Sequence, residues 1–553
     1  METQFPLAPV ADLPWLAYAS LLVIAVYFRF SRALTIRNLD LILTLLIAAA
    51  VVVSSHFRDE TYVADAEVSA LDASNASNEQ SSDSIQTNPG GEVVPAGEVG
   101  AADAQDASKS PGPSEPAPAF TNASSESSQV GSPVSNFERS AATVPAIESN
   151  STSDVQHPMY TWSSLALVVL AVLLVIRLLF DESLTRRPRL DQNLNQAGLA
   201  FLCVPAFAIL AFGVFLKPAP VTNVKAIEHG RALLQRREVH VSNEINDVPA
   251  PTETLIAAGG AAVAQLSGTL PNSVSVNTGE TRSTELLVAR ILVVIAHMVV
   301  ILGLLYIGRQ HFSSIQLGVA MSCLYLLLPC TAANVHKLSH VLPAACLTWA
   351  IASYRKPMVA GVLLGLACGT LFFAVFLLPL WAVFYGRQGA IRFGASVLGV
   401  VVVLATCLMM ISGDADSFYY RVVSSTNWTV YRLLDDTLSI SQTPMSHLFI
   451  RIPMAAIFFV MLTAMTVLPR PRNLENLLAN STALVVAAQM WYPDDIGSYV
   501  QWYMPLYLLV VFRPRLDRFT PPEMIDRESA AISSGLPAGT QSTVAMSRMS
   551  LYR

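Results

Sequence analysis

Long apolar runs, repeated along the chain, constrain its fold more than any other feature of the sequence. Several approach or exceed the roughly 20 residues that a helix needs to cross the hydrocarbon core of a bilayer. Of the 553 residues, 53% are hydrophobic and only 13% are charged. Because backbone polar groups must be satisfied internally in lipid, these runs predict an all-α polytopic integral membrane protein with about 11 to 13 transmembrane helices.

The predicted spans are spread over the chain and are interrupted by two long polar loops. They cover residues 14–30, 39–53, 159–180, 197–216, 286–308, 314–331, 341–353, 392–412, 447–468, 476–490 and 501–512. Segment 358–385 is too long for one span and contains three glycines and Pro379. Basic residues flank it on both sides, which places both flanks in the cytoplasm. The sequence therefore predicts a re-entrant segment that turns near Phe372 and Phe373.

Arginine clusters follow alternate predicted spans, and this alternation orients the chain. Positive charge marks the cytoplasmic side, so we expect a multi-pass protein of the cell membrane with its N-terminus outside and its C-terminus in the cytoplasm. The first apolar run, Pro14–Phe30, lacks a preceding basic region and a following small-residue cleavage site. It is therefore expected to remain as a span and not to be removed as a signal peptide.

The chain divides into six predicted parts. Two of them, residues 54–158 and 516–553, are polar and low in aromatic residues. Such segments cannot bury enough apolar surface to offset chain entropy, so we expect them to be disordered. In order, the parts are the first two transmembrane helices (1–53), a long disordered acidic outer loop (54–158), a transmembrane hairpin (159–216), an outer loop with an amphipathic helix (217–285), the main transmembrane domain (286–515) and a disordered cytoplasmic tail (516–553).

Composition excludes several classes of function. The net charge is −6 and no basic face is present, so membrane lipid is an expected partner and nucleic acid is not. All six cysteines lie inside apolar runs, and their spacing supports neither a disulfide framework nor a zinc site. No nucleotide-binding loop, haem motif or metalloprotease helix occurs, so neither a metal nor another cofactor is expected.

A polar knot, residues 334–340, lies between two apolar segments that prolines interrupt. It contains Asn334, His336, Lys337 and His340, which are donors and cations suited to an anionic group such as a phosphate. The alternative is an ordinary polar turn in which Lys337 extends to the membrane interface.

A second candidate is the aromatic segment 491–505. It combines Trp491, Tyr499 and Trp502 with the adjacent carboxylates Asp494 and Asp495. Aromatic rings suit sugar faces, and carboxylates suit hydroxyl groups or the role of general base. The alternative is an aromatic belt, since Trp and Tyr collect at membrane interfaces for physical reasons alone.

Other ionisable residues give weaker signals. Glu228 precedes His229, a pair that could act as a general base or simply belong to a surface helix of mixed charge. His297 lies inside a predicted span, where an ionisable group is a functional candidate or a hydrogen-bonded packing residue. The apparent lack of buried Asp and Glu argues against an ion-coupled transporter.

The stretch Leu324–Trp381 carries a resemblance to a known family. Its main elements are Leu327-Leu-Pro-Cys-Thr-Ala-Ala-Asn334, His340-Val-Leu-Pro343, Tyr354-Arg-Lys-Pro357, Ala360-Gly-Val-Leu-Leu-Gly-Leu-Ala367, Gly369-Thr-Leu-Phe-Phe373 and Leu377-Leu-Pro-Leu-Trp381. The stretch resembles membrane glycosyltransferases of the GT-C fold, and most of all the polyprenol-phosphate-sugar-dependent mannosyltransferase-like group, glycosyltransferase family 87. The rest of the chain is similar only in architecture.

The resemblance implies an enzyme that moves a sugar from a polyprenyl-phosphate carrier to an acceptor on the outer face of the membrane, with inversion. An outer-loop carboxylate would be the base, and Glu228, Asp494 and Asp495 are the candidates. The residues expected to bind lipid phosphate or substrate are Asn334, His336, Lys337, His340, Trp491, Tyr499 and Trp502.

Two positions depart from the family pattern. Leu371 stands where the family commonly has a lysine before paired phenylalanines, and the acidic residue of the first outer loop has no clear counterpart besides Asp59 and Glu60. The alternatives are therefore a catalytically silent membrane scaffold related to the family, or a transporter of an uncharged or lipidic solute.

Overall fold

The structure is a computed structural model. It describes residues 12–32, 35–56, 158–183, 192–239, 248–268, 279–370, 372–425, 448–468, 471–491, 499–514, 516 and 519–522. Nearly all of the predicted disordered loop 54–158, and most of the predicted disordered tail 516–553, lie outside the described residues.

The described part of the chain is helical and contains no strand. In chain order its α-helices are α1 (Asp12–Tyr27), α2 (Ile36–His56), α3 (Pro158–Leu179), α4 (Gln196–Leu216), α5 (Val221–Gln235), α6 (Pro251–Leu266), α7 (Gly279–Gln310), α8 (Ile315–Leu327), α9 (Pro329–Ala333), α10 (Leu338–Ala352), α11 (Pro357–Cys368), α12 (Leu377–Ile411), α13 (Ala415–Ser425), α14 (Leu448–Val467), α15 (Leu474–Trp491) and α16 (Val500–Phe512). Five of them, α2, α3, α4, α7 and α12, are long and apolar enough to cross a membrane, and six further apolar helices are shorter. The predicted all-α polytopic membrane fold is confirmed.

Prolines set several of the helix boundaries. Leu328, between α8 and α9, is extended, with φ −64° and ψ 125°. The following Pro329 explains this, because proline disfavours the helical conformation in the residue before it. Pro329 and Pro357 then begin α9 and α11, where a missing N–H is harmless. The broken helices expected from the sequence are therefore present on both sides of the polar knot.

The segment predicted to re-enter the membrane folds as a helical hairpin, residues 357–385. Helix α11 is followed by a turn, a short 3-10 helix (Phe372–Phe376) and the first part of α12, which ends at Gly386. Gly386 has φ 67° and ψ 179°, a conformation that favours glycine, and the chain reverses there. The ring of Tyr385 consequently lies 5.6 Å from that of Phe393.

Glycines allow α11 to approach the second part of α12 closely. A Cβ atom added at Gly361 would lie 2.6 Å from the carbonyl oxygen of Phe393, and one at Gly365 would lie 3.0 Å from Cβ of Val400. The later residue of α11 contacts the later residue of α12, so α11 runs parallel to the second part of α12. The first part of α12 must therefore run antiparallel to α11, as a segment that enters and returns requires.

Helices α8, α10, α15 and α16 form the interior of the bundle. Almost every residue of α16 is buried, including Trp502 and Tyr507. Helices α4, α12 and α14 instead expose large apolar side chains such as Phe201, Ile391 and Val460. This is the distribution expected of helices that face lipid, because lipid does not drive apolar side chains inward.

A cluster of buried ion pairs connects α2, α3, α15 and the residue that follows α16. Arg177 of α3 binds both carboxylate oxygens of Asp40 of α2, at 2.7 and 2.8 Å, and reaches Asp181 at 2.9 Å. Arg513, just after α16, contacts Asp181 and lies 3.1 Å from Glu475 of α15. The expectation that buried carboxylates are lacking is wrong. Asp40 pairs with Arg177 and Asp181 with Arg513, partners that are distant along the chain, although Arg177 and Asp181 are only four residues apart.

Candidate functional site

The polar knot runs from the end of α9 into the first turn of α10 and is held by residues from α5 and the end of α4. Nδ2 of Asn223 donates to the carbonyl oxygen of His336 at 2.8 Å. Nζ of Lys217 donates to the carbonyl oxygens of Ala332 and Ala333 at 3.3 and 3.1 Å. A cation at the carboxyl end of a helix satisfies the free carbonyls there. Lys217 and Asn223 thus belong to the knot, although the sequence did not single them out.

Lysine side chains supply the positive charge around His336. Asn334 and His340 are buried, whereas His336 and Lys337 are half-buried. Burial, together with the charges of Lys337 and Lys217, lowers the pKa of His336 to about 3. His336 is therefore neutral at physiological pH and offers a hydrogen bond, while Lys337 and Lys217 supply the charge that would attract an anion.

Three of the predicted binding residues meet at the 3-10 helix of the hairpin. The His340 ring stacks on Tyr499, with ring centroids 5.1 Å apart and planes at 22°. The Phe373 ring packs edge-on against both Tyr499 and Trp502, at 5.1 and 5.6 Å. The structure therefore brings the knot, the aromatic segment and the hairpin into contact, although they are far apart in the sequence.

Buried polar atoms accompany this aromatic group. Nε2 of Gln501 donates to the carbonyl oxygen of Thr331 at 3.1 Å. Oε1 of Gln501, Oγ1 of Thr331 and Nε1 of Trp502 are buried and make no hydrogen bond within the described part of the chain. Unsatisfied buried polar groups are uncommon in folded proteins, and a ligand with hydroxyl groups would satisfy them.

Trp491 lies in a different environment from Tyr499 and Trp502. It is buried among Phe376, Phe458 and Phe459, with ring centroids 5.7 to 6.0 Å away. This arrangement is that of a packing residue joining α14, α15 and the hairpin. Asp494 and Asp495, predicted as candidate bases, lie outside the described residues.

Glu228 lies on α5 and is exposed to solvent. Its neighbour His229 is half-buried, and burial together with the charges of Arg421 and Lys225 lowers the pKa of His229 to about 4. The imidazole is thus neutral and faces positive charge. The structure does not pair the imidazole with the Glu228 carboxylate by a hydrogen bond or ion pair among the described residues.

Glu253 is a buried carboxylic acid that the sequence reasoning missed. It is 2% exposed and lies in the first turn of α6, which is not among the candidate membrane spans. Burial raises its pKa to about 7, although a hydrogen bond from the backbone of Ala250 opposes the shift. Its Oε1 atom is buried without a hydrogen-bond partner. A carboxyl group that titrates near neutral pH is suited to proton transfer.

The structural interpretation of Glu253 is a helix cap. Glutamate at this position of a helix commonly reaches back to the N-cap backbone N–H, which here belongs to Ala250. A cap of this kind normally lies at the surface, where water satisfies the second carboxylate oxygen. Complete burial of Glu253 sets it apart from an ordinary cap.

The start of α6 is tied to the turn of the hairpin. The backbone N–H of Thr252 donates to the carbonyl oxygen of Gly369 at 3.1 Å. The Thr252 hydroxyl donates to the carbonyl oxygen of Leu366 at 2.8 Å. Phe373, four residues beyond Gly369, contacts Tyr499. The hairpin turn therefore lies between the residues that carry Glu253 and the aromatic residues that adjoin the polar knot.

Local sequence signals could have indicated Glu253. Pro251 followed by an acid two residues later is typical of a helix start. The Ala/Gly-rich helix that follows packs closely on α5, where a Cβ at Gly230 would lie 2.8 Å from the backbone of Ala257. This packing buries the start of α6, whereas Val263 and Leu266 towards its end are exposed.

His297 proves to be fully hydrogen-bonded. Its Nδ1 lies 2.9 Å from the hydroxyl of Tyr325, and its Nε2 lies 3.1 Å from the carbonyl oxygen of Val335. Both ring nitrogens are used in joining α7 to α8 and to the knot, so this histidine acts in packing. No group of three or more metal-binding side chains occurs within the described ranges.

Comparison of the chain with models of known protein families, with curated proteins and with solved structures finds no match.

The burial of Glu253 predicts how stability depends on pH. Between pH 4.5, the usual pKa of a glutamate, and about 7, the unfolded chain has released this proton while the folded protein retains it. Stability contributed by the neutral carboxyl is thus complete below pH 4.5 and is lost as pH rises to 7. Glu253→Gln should therefore stabilise the protein by about 3 kcal/mol at pH 8, because each pKa unit corresponds to about 1.4 kcal/mol.

Thermal unfolding of the detergent-solubilised wild type and Glu253→Gln at pH 5 and pH 8 would measure this effect. We expect nearly equal Tm values at pH 5 and a higher Tm for the variant at pH 8. The same difference at both pH values would contradict a buried, titrating carboxyl.

Proposed function

We propose that the protein is a GT-C-like glycosyltransferase that moves a sugar from a polyprenyl-phosphate carrier to an acceptor on the outer face of the membrane. The observation that carries the proposal is the position of the hairpin turn. The turn is hydrogen-bonded on one side to Thr252, the neighbour of the buried Glu253, and on the other side it meets aromatic rings that adjoin the polar knot. These are the parts that a sugar donor with a lipid phosphate needs.

Each part has a separate chemical role. Lys337 and Lys217 supply positive charge for the phosphate of the carrier. The unsatisfied polar atoms of Gln501, Thr331 and Trp502, beside the ring of Tyr499, suit the hydroxyl groups of a sugar. The polyprenyl chain would lie along the hairpin, in the lipid-facing layer.

Glu253 is the proposed general base. In its ionised form it would take the proton from the acceptor hydroxyl as the hydroxyl oxygen attacks the anomeric carbon. The bond to the phosphate oxygen then breaks, polyprenyl phosphate leaves, and the configuration at the anomeric carbon inverts. Glu228, Asp494 and Asp495 remain the competing assignments made from the sequence.

A turnover assay tests this function. Purified protein would be incubated with a panel of polyprenyl-phosphate sugars and a membrane extract as the source of acceptors, and release of polyprenyl phosphate would be followed by mass spectrometry. Release from at least one donor, dependent on the extract, is expected. No release by folded protein that binds polyprenyl phosphate would favour a silent scaffold. Passage of the lipid across reconstituted vesicles without release would favour a transporter.

A further inference from the structure

The backbone carbonyl oxygens of α9 and of the polar knot accept hydrogen bonds from side chains of four other parts of the chain. The donors and acceptors are Gln501 with Thr331, Lys217 with Ala332 and Ala333, His297 with Val335, and Asn223 with His336, at 2.8 to 3.3 Å. The backbone of the knot is therefore fixed by its surroundings, and the side chains of the knot are not needed for that purpose.

Asn223 has one polar atom that this arrangement leaves unsatisfied. The residue is 2% exposed and lies in the first turn of α5. Its Nδ2 donates to the carbonyl oxygen of His336 at 2.8 Å, and its Oδ1 is buried without a hydrogen-bond partner within the described part of the chain. Because a backbone carbonyl only accepts, the amide must present Nδ2 to it. Oδ1 is thereby fixed as an acceptor that needs a donor.

His336 has an unsatisfied atom as well. Its Nδ1 is buried and makes no hydrogen bond among the described residues, although the residue as a whole is half-buried. The ring is neutral, so Nδ1 donates in one tautomer and accepts in the other. The unsatisfied Oδ1 and Nδ1 atoms thus belong to two residues that meet at a single hydrogen bond, between Nδ2 of Asn223 and the carbonyl oxygen of His336.

The structural interpretation is a buried water molecule that bridges the two side chains, since buried waters commonly satisfy polar atoms of this kind. A hydroxyl group of a ligand can both donate and accept, as water does, and can take its place. A carboxylate or a phosphodiester group cannot satisfy Oδ1 of Asn223, because it presents only acceptors.

We propose that Asn223 and His336 form a subsite for a hydroxyl group, beside the phosphate site proposed at Lys337. The hydroxyl would donate its hydrogen to Oδ1 of Asn223 and accept from Nδ1 of His336. Lys337 follows His336 directly in the chain, so a ligand that binds Lys337 through its phosphate brings its hydroxyl groups close to this pair. The hydroxyl can belong to the donor sugar or to the acceptor. The inference rests on the proposed glycosyltransferase function.

Two substitutions of His336 separate hydrogen bonding from packing. His336→Phe keeps an aromatic ring but has no polar side-chain atom, whereas His336→Asn loses the ring but places an amide where Nδ1 lies. Both keep the backbone carbonyl that Asn223 binds. If Nδ1 binds a hydroxyl group, the asparagine variant should bind as the wild type does and the phenylalanine variant should not. A packing role predicts the reverse order.

Native mass spectrometry of the full-length protein in detergent would measure the affinity for polyprenyl phosphate and for polyprenyl-phosphate hexoses. His336→Phe should weaken binding of a hexose-bearing lipid by about fivefold or more, the effect of one lost hydrogen bond, and should leave binding of polyprenyl phosphate unchanged. His336→Leu serves if the phenylalanine variant does not fold. Asn195→Ser, which keeps an exposed N-cap of α4, is the control and should bind both lipids as the wild type does.

Release of polyprenyl phosphate in the presence of membrane extract identifies the source of the hydroxyl. Weaker binding of the hexose-bearing lipid by His336→Phe places the hydroxyl on the donor sugar. Unchanged affinity for both lipids, with slower release at limiting extract in His336→Phe but not in His336→Asn, places it on the acceptor. Either result supports the subsite.

Three outcomes would count against the subsite. Equal weakening of both lipids by His336→Phe would show that the substitution disturbs the knot as a whole. Wild-type binding and release in His336→Phe would show that Nδ1 binds no part of either substrate. Folded wild-type protein that binds neither lipid would contradict the proposed function itself, and the subsite with it.

Discussion

Replacing Glu253 with glutamine should reduce sugar transfer by about 100- to 10,000-fold, the usual contribution of a general base. Glutamine keeps the size of the side chain and can accept the hydrogen bond from the Ala250 backbone, but it cannot take a proton. Since burial raises the pKa of Glu253 to about 7, the wild-type rate should also fall as pH drops below 7, because the base is then protonated. Rates of polyprenyl phosphate release between pH 5 and pH 9 would show both effects.

Two further variants make this prediction decisive. Asp416→Asn removes an exposed carboxylate on α13 and should leave the rate unchanged. Glu228→Gln tests the competing assignment. If Glu228→Gln loses activity while Glu253→Gln retains it, the base is Glu228, and burial of Glu253 serves only the helix cap.

Replacing Asp181 with asparagine should destabilise the protein by about 3 to 5 kcal/mol, the usual effect of removing one partner of a buried ion pair. Asp181 is 1% exposed and contacts both Arg177 and Arg513. Without its charge, Arg513 keeps Glu475, at 3.1 Å, as its acidic partner among the described residues. The fall in Tm of the detergent-solubilised protein would measure the loss.

The double variant Asp181→Leu with Arg513→Met is the matched control. Replacing both partners by apolar groups leaves Arg177 paired with Asp40 but removes the contact of Glu475 with Arg513, so part of the lost stability should return. An unchanged Tm in Asp181→Asn would show that the cluster contributes nothing, as many ion pairs open to water do.

Features that depend on neighbouring residues could be predicted from the sequence. Hydropathy located the helices, because a span is a local run of apolar residues. Prolines located the breaks around α9 and α11, because proline acts on the residue just before it. Flanking positive charges and chain length predicted that segment 358–385 enters and returns, and the structure has a turn between α11 and the 3-10 helix. That the segment re-enters a membrane stays a prediction.

Features that depend on packing could not be predicted in this way. The contact of His340 with Tyr499 joins helices more than 150 residues apart in the sequence. Lys217 reaches the knot from the end of α4 and Asn223 from the first turn of α5, and nothing in their local sequence marks them. Pro251 and the acid two residues later mark Glu253 as part of a helix start, but the hydropathy of a short helix rich in alanine and glycine does not reveal its burial.

Binding of polyprenyl phosphate to the purified protein tests the central claim most directly, because this product is common to the enzyme class whatever the sugar. Native mass spectrometry should show saturable binding that Lys337→Ala weakens at least tenfold. Lys356→Ala, which removes an exposed lysine at the other end of α10, should not weaken it. Folded protein that binds no polyprenyl phosphate, or binds it equally well in all three forms, would contradict a lipid-phosphate site at the polar knot.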